Sequence, residues 1–242
     1  MENVGESYSR NNEFKEKFNR EKIIQDLVKT PQPVIFDVGA HVGESVTFLK
    51  KSFPDSSLYS FEPDPESFSI LTSSVGGMSQ CFNIALSDAD GTACFYRNSI
   101  SHTNSLHKVN TKSKDSIGIA RAVENGDLSY IQDFNQEIDV PTMRLDTFAH
   151  EKAIDNIHLL KIDVQGAECS VLNGAVNILE KTKVIILEIS FFDYYDNQTS
   201  FMDVEKIIHP LGFRIFTISE ISNNPMNGRT DWVEAIYVNT NL

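Results

Sequence analysis

The sequence predicts an α/β fold: a mostly parallel sheet with helices on both faces and an antiparallel hairpin appended at its end. Three observations lead there. Short apolar runs alternate with helical stretches, a glycine turn follows the first run, and two strand-like segments close the chain around a turn rich in Asn and Gly. Val34–Val38, Leu58–Phe61, Cys81–Leu86, His158–Ile162 and Val184–Ile189 read as strands. Glu44–Lys51, Pro65–Val75 and Glu168–Leu179 read as helices between them. Strands spaced this way require right-handed crossovers and a sheet covered on both faces. Phe213–Ser219 and Trp232–Val238 flank Asn223-Asn224-Pro225-Met226-Asn227-Gly228 and read as the hairpin.

Ahead of the first strand, Phe14, Phe18, Ile23, Ile24, Leu27 and Val28 recur at helical spacing until Pro31 and Pro33 stop the pattern. Residues 1–30 therefore read as an amphipathic helix that packs on the rest, meets a partner, or pairs two copies as a homodimer. A single domain over residues 31–242 follows it.

The chain has 242 residues, with 34 Asp and Glu against 21 Lys and Arg, a net charge of −13. Acidic and basic side chains balance in residues 1–30, so the excess lies in the domain. Such a surface repels nucleic acid. Cys81, Cys94 and Cys169 have no C-x-x-C spacing, which excludes a disulfide framework or a cysteine zinc site and suits a reducing compartment. No apolar run approaches the ~20 residues of a membrane helix, and the opening residues lack a signal-peptide core. A cytoplasmic location is expected, and Asn197-Gln198-Thr199 is then a chance match to the glycosylation pattern. One segment departs from the acidic trend: Arg97 to Lys114 contains no Asp or Glu but holds Arg97, Lys108, Lys112 and Lys114. Residues 97–139 read either as a substrate cap or as a solvated loop.

Open α/β sheets bind ligands at the carboxyl ends of their strands. After the first strand comes Asp37-Val38-Gly39-Ala40-His41-Val42-Gly43-Glu44. Gly39 permits a sharp turn, Gly43 a close helix approach, and the helix start offers N–H groups to an anionic tail. Glu62 ends the second strand, where a carboxylate takes both ribose hydroxyls. Ser87 and Asp88 follow the third and are placed to meet an adenine amino group. The order describes a site for an adenine nucleoside. A nicotinamide dinucleotide calls for G-x-G-x-x-G, whereas these glycines are spaced G-x-x-x-G with Asp37 and Glu44 beside them. S-adenosylmethionine brings an ammonium and a sulfonium, which acidic neighbours favour.

These residues resemble the FkbM-type S-adenosylmethionine-dependent methyltransferases. The family's marks occur in order as Asp37 to Gly43, Phe61-Glu62-Pro63, Ala85-Leu86-Ser87-Asp88 with Gly91, Asn104-Ser105-Leu106, Arg144 to Phe148, and Leu160 to Glu168 running on to Val171-Leu172-Asn173-Gly174. The resemblance covers roughly residues 34 to 190. It implies a class I, Rossmann-like methyltransferase with a seven-stranded sheet that O-methylates a sugar or natural-product hydroxyl. It also implies a cofactor site built from Asp37, Gly39, Ala40, His41, Gly43, Glu62, Ser87 and Asp88. Two positions depart from the family: His41 replaces the usual Asn and Gln165 the usual Glu. Both can hydrogen-bond, but Gln165 carries no charge.

Methyl transfer needs hydroxyl and methyl held in line, with a base where the alcohol must lose its proton. Asp163, ending the fourth apolar strand, is the candidate to position or deprotonate the hydroxyl; the alternative is a turn cap. Glu188 and His102 are candidate acceptor contacts, Glu188 otherwise being a buried charge paired with Lys161 and His102 a solvated loop residue. Glu168 sits where a carboxylate favours a helix start. No H-E-x-x-H or similar spacing occurs, so no metal is expected. The alternative readings are an NAD(P)-dependent oxidoreductase, and a protein that binds cofactor or glycan without turnover.

Overall fold

The computed structural model describes residues 4–113, 133–225 and 227–242. It opens with α1 (Val4–Lys17) and α2 (Arg20–Val28). The single helix expected here is broken at Asn19, whose extended backbone and side chain cap α2 by accepting a hydrogen bond from the Lys22 amide at 2.9 Å. The two helices have different surroundings. Phe14 of α1 and Phe18 just after it stay exposed and stack on each other, while α2 buries Ile23, Ile24 and Val28 in the core of the following domain.

The expected alternation follows: β1 (Val34–Val38), α3 (Glu44–Ser52), β2 (Ser57–Phe61), α4 (Pro65–Val75) and β3 (Gln80–Phe82). After β4 (Ala85–Leu86), β5 (Gly91–Arg97) and β6 (Gln136–Met143) come α5 (Leu145–Glu151), β7 (Ile157–Ile162), α6 (Glu168–Asn173), α7 (Val176–Leu179) and β8 (Thr182–Ser190). The chain closes with α8 (Phe201–Ile208), β9 (Phe213–Asn223) and β10 (Thr230–Asn239). Among the described residues the main sheet has seven strands in the order β3-β2-β1-β7-β8-β10-β9. β1 runs parallel to β2 and β7, and β7 to β8; β10 is antiparallel to both β8 and β9. This is the Rossmann-like sheet with a terminal hairpin that the sequence predicts.

Strand alternation divides the core. Ile35, Leu159 and Val184 face α2, α3 and α4, whereas Phe36, Leu160 and Ile185 face the layer of α5 to α8. Near-continuous apolar strands follow from burial on both faces. Among the described residues no helix is long and apolar enough to cross a membrane.

The structure departs from expectation in the middle of the chain. Cys81–Leu86 is not one strand, because the Asn83 side chain donates to the carbonyls of Glu62 and Pro63 at 2.8 and 2.9 Å and ends the pairing with β2. β4 then leaves the main sheet and joins β6 and β5 in a three-stranded sheet. The 97–139 segment is thus strand at both ends, and residues 114–132, with Lys114, lie outside the described residues, as does Met226 of the hairpin turn. The helix expected over Glu168–Leu179 is two helices. Gly174 breaks it, and Asp146 accepts from the Asn177 and Ile178 amides at 3.1 and 2.9 Å to start α7.

Gly174 also lies against β4's exit. A Cβ built there would meet the Ser87 carbonyl oxygen at 1.9 Å, a backbone atom with no rotamer to yield. Gly174→Ala is expected to destabilise the protein by about 3 kcal/mol, lowering Tm by roughly 6–12 °C for a domain of this size. Thermal unfolding of the two proteins checks this; an unchanged Tm would contradict the packing.

Candidate active site

The site is built on the turns that leave β1, β2 and β7. Gly39 has φ +82°, and a Cβ there would meet the Asp163 carbonyl oxygen at 1.8 Å, so only glycine lets these two turns touch. Gly43, φ +99°, lets the start of α3 press against Val75 and Leu71 of α4. Three amides of this turn are already taken. Gly39 and Ala40 both donate to the Phe61 carbonyl at 3.0 Å, and His41 donates to Glu62 Oε2 at 2.9 Å. These three N–H groups therefore hold β2's end rather than an incoming phosphate.

A cavity of about 350 Å³ opens above these turns. Gly39, Ala40, His41 and Glu62 line it together with Asp163, Gln165, Glu188 and, from the segment after β5, Ser101, His102, Asn104 and Leu106. Pro63, Ile84, Ala85, Leu86 and Phe95 form an apolar wall. Glu62 is buried, and its two oxygens accept the Asp64 and His41 amides. Desolvation raises its pKa to about 7.

Asp37 does not line this cavity. It is fully buried one layer behind, where its carboxylate accepts from Ser45 Oγ at 2.5 Å and lies 3.7 Å from Lys161 Nζ. Lys161 also reaches Asp163 at 3.2 Å. Burial alone would lower the Lys161 pKa, but Asp163 and Asp37 hold it well above the ordinary lysine value. Burial raises Asp37. For Asp163 burial also pushes upward, yet Lys161 and Gln165 outweigh it and keep the carboxyl below its ordinary value.

Gln165 was absent from the candidate site residues. Its side-chain amide donates to Asp163 at 2.8 Å and to Glu188 at 3.3 Å, while its oxygen accepts from Tyr195 O–H at 3.0 Å. A glutamate here could not donate, and three carboxylates would meet. Desolvation, with the charges of Asp163 and Glu168, raises Glu188 to about 8. Among the cavity's carboxylates Glu188 is thus the most basic. Glu168 turns away and accepts the Gly166 amide at 2.9 Å.

Ser87 and Asp88 are not on the cavity either. β4 carries them into the second sheet, where the Ser87 amide donates to Met143 and Asp88 is exposed; the wall they were expected to form is Ile84 to Leu86. His102 does line the cavity, and His41 Nε2 lies 2.9 Å from Ser101 Oγ in the same 3₁₀ turn. Burial and the nearby His102 lower the His41 pKa. The described part of the cap segment is fastened down: Ser105 Oγ donates to the Gln165 carbonyl at 2.8 Å, and Val109 bridges to Tyr195. Its positive charges are largely committed, Arg97 to Asp64 and Glu66 and Lys108 to Glu137. Among the described residues no group of three or more His, Cys, Asp and Glu side chains is arranged to hold a metal.

A model of the family described as the methyltransferase FkbM domain matches residues 37–215. The 2-O-methyltransferase NoeI of Sinorhizobium fredii is 31 % identical over 179 residues, which cover 72 % of this chain and 70 % of that protein. The 31-O-demethyl-FK506 methyltransferase FkbM of Streptomyces tacrolimicus is 31 % identical over 159 residues, 60 % of each chain. The crystal structure of methyltransferase FkbM from Methylobacillus flagellatus aligns with a TM-score of 0.49 at 14 % identity, over 86 % of this chain and 44 % of that one. This chain thus spans less than half the length of that solved protein.

The raised carboxylates couple the site to stability. Glu62, Glu168 and Glu188 have folded pKa values of about 7, 7 and 8, above the ordinary glutamate value of 4.5. Between pH 6.5 and 8.5 the folded state binds more protons than the unfolded one, so stability falls as pH rises. The partly buried His41, His107 and His158, held below their ordinary 6.5, oppose this only at the low end of the window, where the unfolded histidines still bind protons. Tm is expected to be higher at pH 6.5 than at 8.5, with a smaller difference in Glu188→Gln; a flat profile would contradict the burial of these groups.

Proposed function

The chain belongs to the FkbM methyltransferase family, and on that premise we propose that it transfers a methyl group from S-adenosylmethionine to a hydroxyl of a saccharide or natural-product-like acceptor. The observation that carries this reading is the charge of the large cavity. Glu44, Glu62, Asp163 and Glu188 line it, and Lys161, the one lysine among its described lining residues, is committed to Asp37 and Asp163. With the Gly39, Ala40 and His41 amides also engaged, a pyrophosphate would meet carboxylates and lose the donors of the glycine turn. That disfavours the NAD(P)-dependent oxidoreductase. A cofactor with an ammonium and a sulfonium meets the opposite situation.

The residues present fit such a cofactor. Glu62, fixed by two backbone amides, has lone pairs left for ribose hydroxyls, and Pro63, Ile84, Ala85 and Leu86 offer an apolar slot for adenine. When bound, S-adenosylmethionine supplies an electrophilic methyl group on sulfur, so the protein's own part is positioning and proton removal. Asp163, kept ionised by Lys161 and Gln165, stabilises positive charge and is a weak base. Glu188, on the same wall and tied to Asp163 through Gln165, is the better proton acceptor because its pKa lies near working pH. The base thus moves from Asp163, where the sequence places it, to Glu188. The named relatives act on oxygen, as a 2-O-methyltransferase and a 31-O-demethyl-FK506 methyltransferase.

Incubation with methyl-labelled S-adenosylmethionine and a panel of hydroxyl compounds tests the reaction. Label is expected in an ether linkage. Cofactor binding without label in any acceptor would favour the binding-protein reading instead. With an acceptor in hand, kcat is expected to rise with pH through the Glu188 pKa near 8. Glu188→Gln should remove that limb and lower kcat by about 10²–10⁴-fold. A retained limb would return the base to another group.

A further inference from the structure

A second, smaller cavity of about 150 Å³ lies beside the first, and Lys161, Asp163 and Glu188 line both. It sits on the face of the sheet that α2 covers, past the carboxyl ends of β7 and β8. Its remaining walls come from distant parts of the chain: Arg20 at the start of α2, Glu220 on β9, and Trp232 and Glu234 on β10. Register explains the convergence, since Glu188 pairs with Glu234, Glu234 with Glu220, and Trp232 with Ser190. None of the described cap residues lines this cavity; Ser101, His102, Asn104 and Leu106 line the larger one.

We propose that this cavity is the acceptor subsite, and that it receives a single saccharide ring bearing no carboxylate or phosphate, packed on Trp232 with its hydroxyls toward Glu188 and Glu220. The proposal rests on the methyl-transfer reading, because the shared wall of Asp163 and Glu188 is where a hydroxyl in the small cavity would meet a methyl group in the large one. Three features select the ring. The lining is mainly polar, with Trp232 as the one aromatic among its described residues, which suits a ring rich in hydroxyls with a single apolar face. The volume suits one ring rather than a chain of them. Both cations are already claimed: Arg20 donates to the two Glu234 oxygens at 2.6 Å each and lies 3.9 Å from Glu220, and Lys161 is held between Asp37 and Asp163. A uronate or sugar phosphate would bring an anion to Asp163 and Glu220, with no cation among the described lining residues left to receive it.

Trp232 is the protein's single tryptophan, so its fluorescence reports this cavity directly. The experiment titrates the full-length protein, first saturated with S-adenosylhomocysteine by calorimetry, with methyl glucoside, galactoside and mannoside and with the matching methyl uronosides. At least one neutral glycoside is expected to change the Trp232 emission saturably, with the uronoside partner roughly tenfold or more weaker. Glu220→Lys should narrow or reverse that preference without altering S-adenosylhomocysteine affinity. If S-adenosylhomocysteine binds but no neutral glycoside moves the emission, or the uronosides bind equally well, the subsite assignment is overturned while the cofactor reading stands. If S-adenosylhomocysteine itself does not bind, the cofactor reading falls and the subsite with it.

Discussion

One buried ammonium holds the site together. Lys161 stands on β7 directly beside Asp37 on β1, with Asp163 two residues on, and it is 9 % exposed. Three charges so close, two of them buried, are costly unless each finds a partner. Lys161 lies within ion-pair reach of both carboxylates, Ser45 supplies a hydrogen bond to Asp37, and Gln165 supplies one to Asp163. The result fixes the ends of two neighbouring strands and spends the one lysine among the large cavity's described lining residues on internal partners. What is left facing the cavity is acidic. That residual charge, rather than any single contact, decides which cofactor and which acceptor the protein can accommodate.

Glycine geometry makes the charge arrangement reachable. Were Gly39 any larger, the β1 turn could not touch the Asp163 carbonyl, and the two carboxyl-bearing turns would separate. Gln165, itself at φ +56°, completes the connection by linking Asp163, Glu188 and Tyr195 through one amide. Its neutrality matters because an uncharged donor lets two carboxylates share a wall. Burial and the charges of Asp163 and Glu168 leave Glu188 reluctant to ionise, while Lys161 and then Gln165 keep Asp163 easily ionised, a division of roles between neighbouring acids that environment alone produces.

The parallel sheet, the glycine turn and Glu62 were legible because each is a local signal: an apolar run, a φ-permissive residue, a carboxylate at a strand end. Asp37 was legible as acidic but not as buried, since only the β1–β7 register brings Lys161 against it. Ser87 and Asp88 misled for a related reason. Their motif follows a strand, but the Asn83 side chain diverts that strand into a second sheet, whose β5 and β6 partners are set far along the chain. Arg20 and Trp232 lie more than two hundred residues apart, and nothing in the local pattern around either one marks a shared cavity. The α6–α7 break turns on Gly174 meeting Ser87, again a contact invisible to spacing.

Side-by-side calorimetric titration with S-adenosylmethionine and with NADH addresses the electrostatic account most directly. An acidic cavity with its amides and lysine engaged should give a saturable heat with the sulfonium compound and none with the dinucleotide. Saturable binding of NADH, or silence toward both, would contradict it.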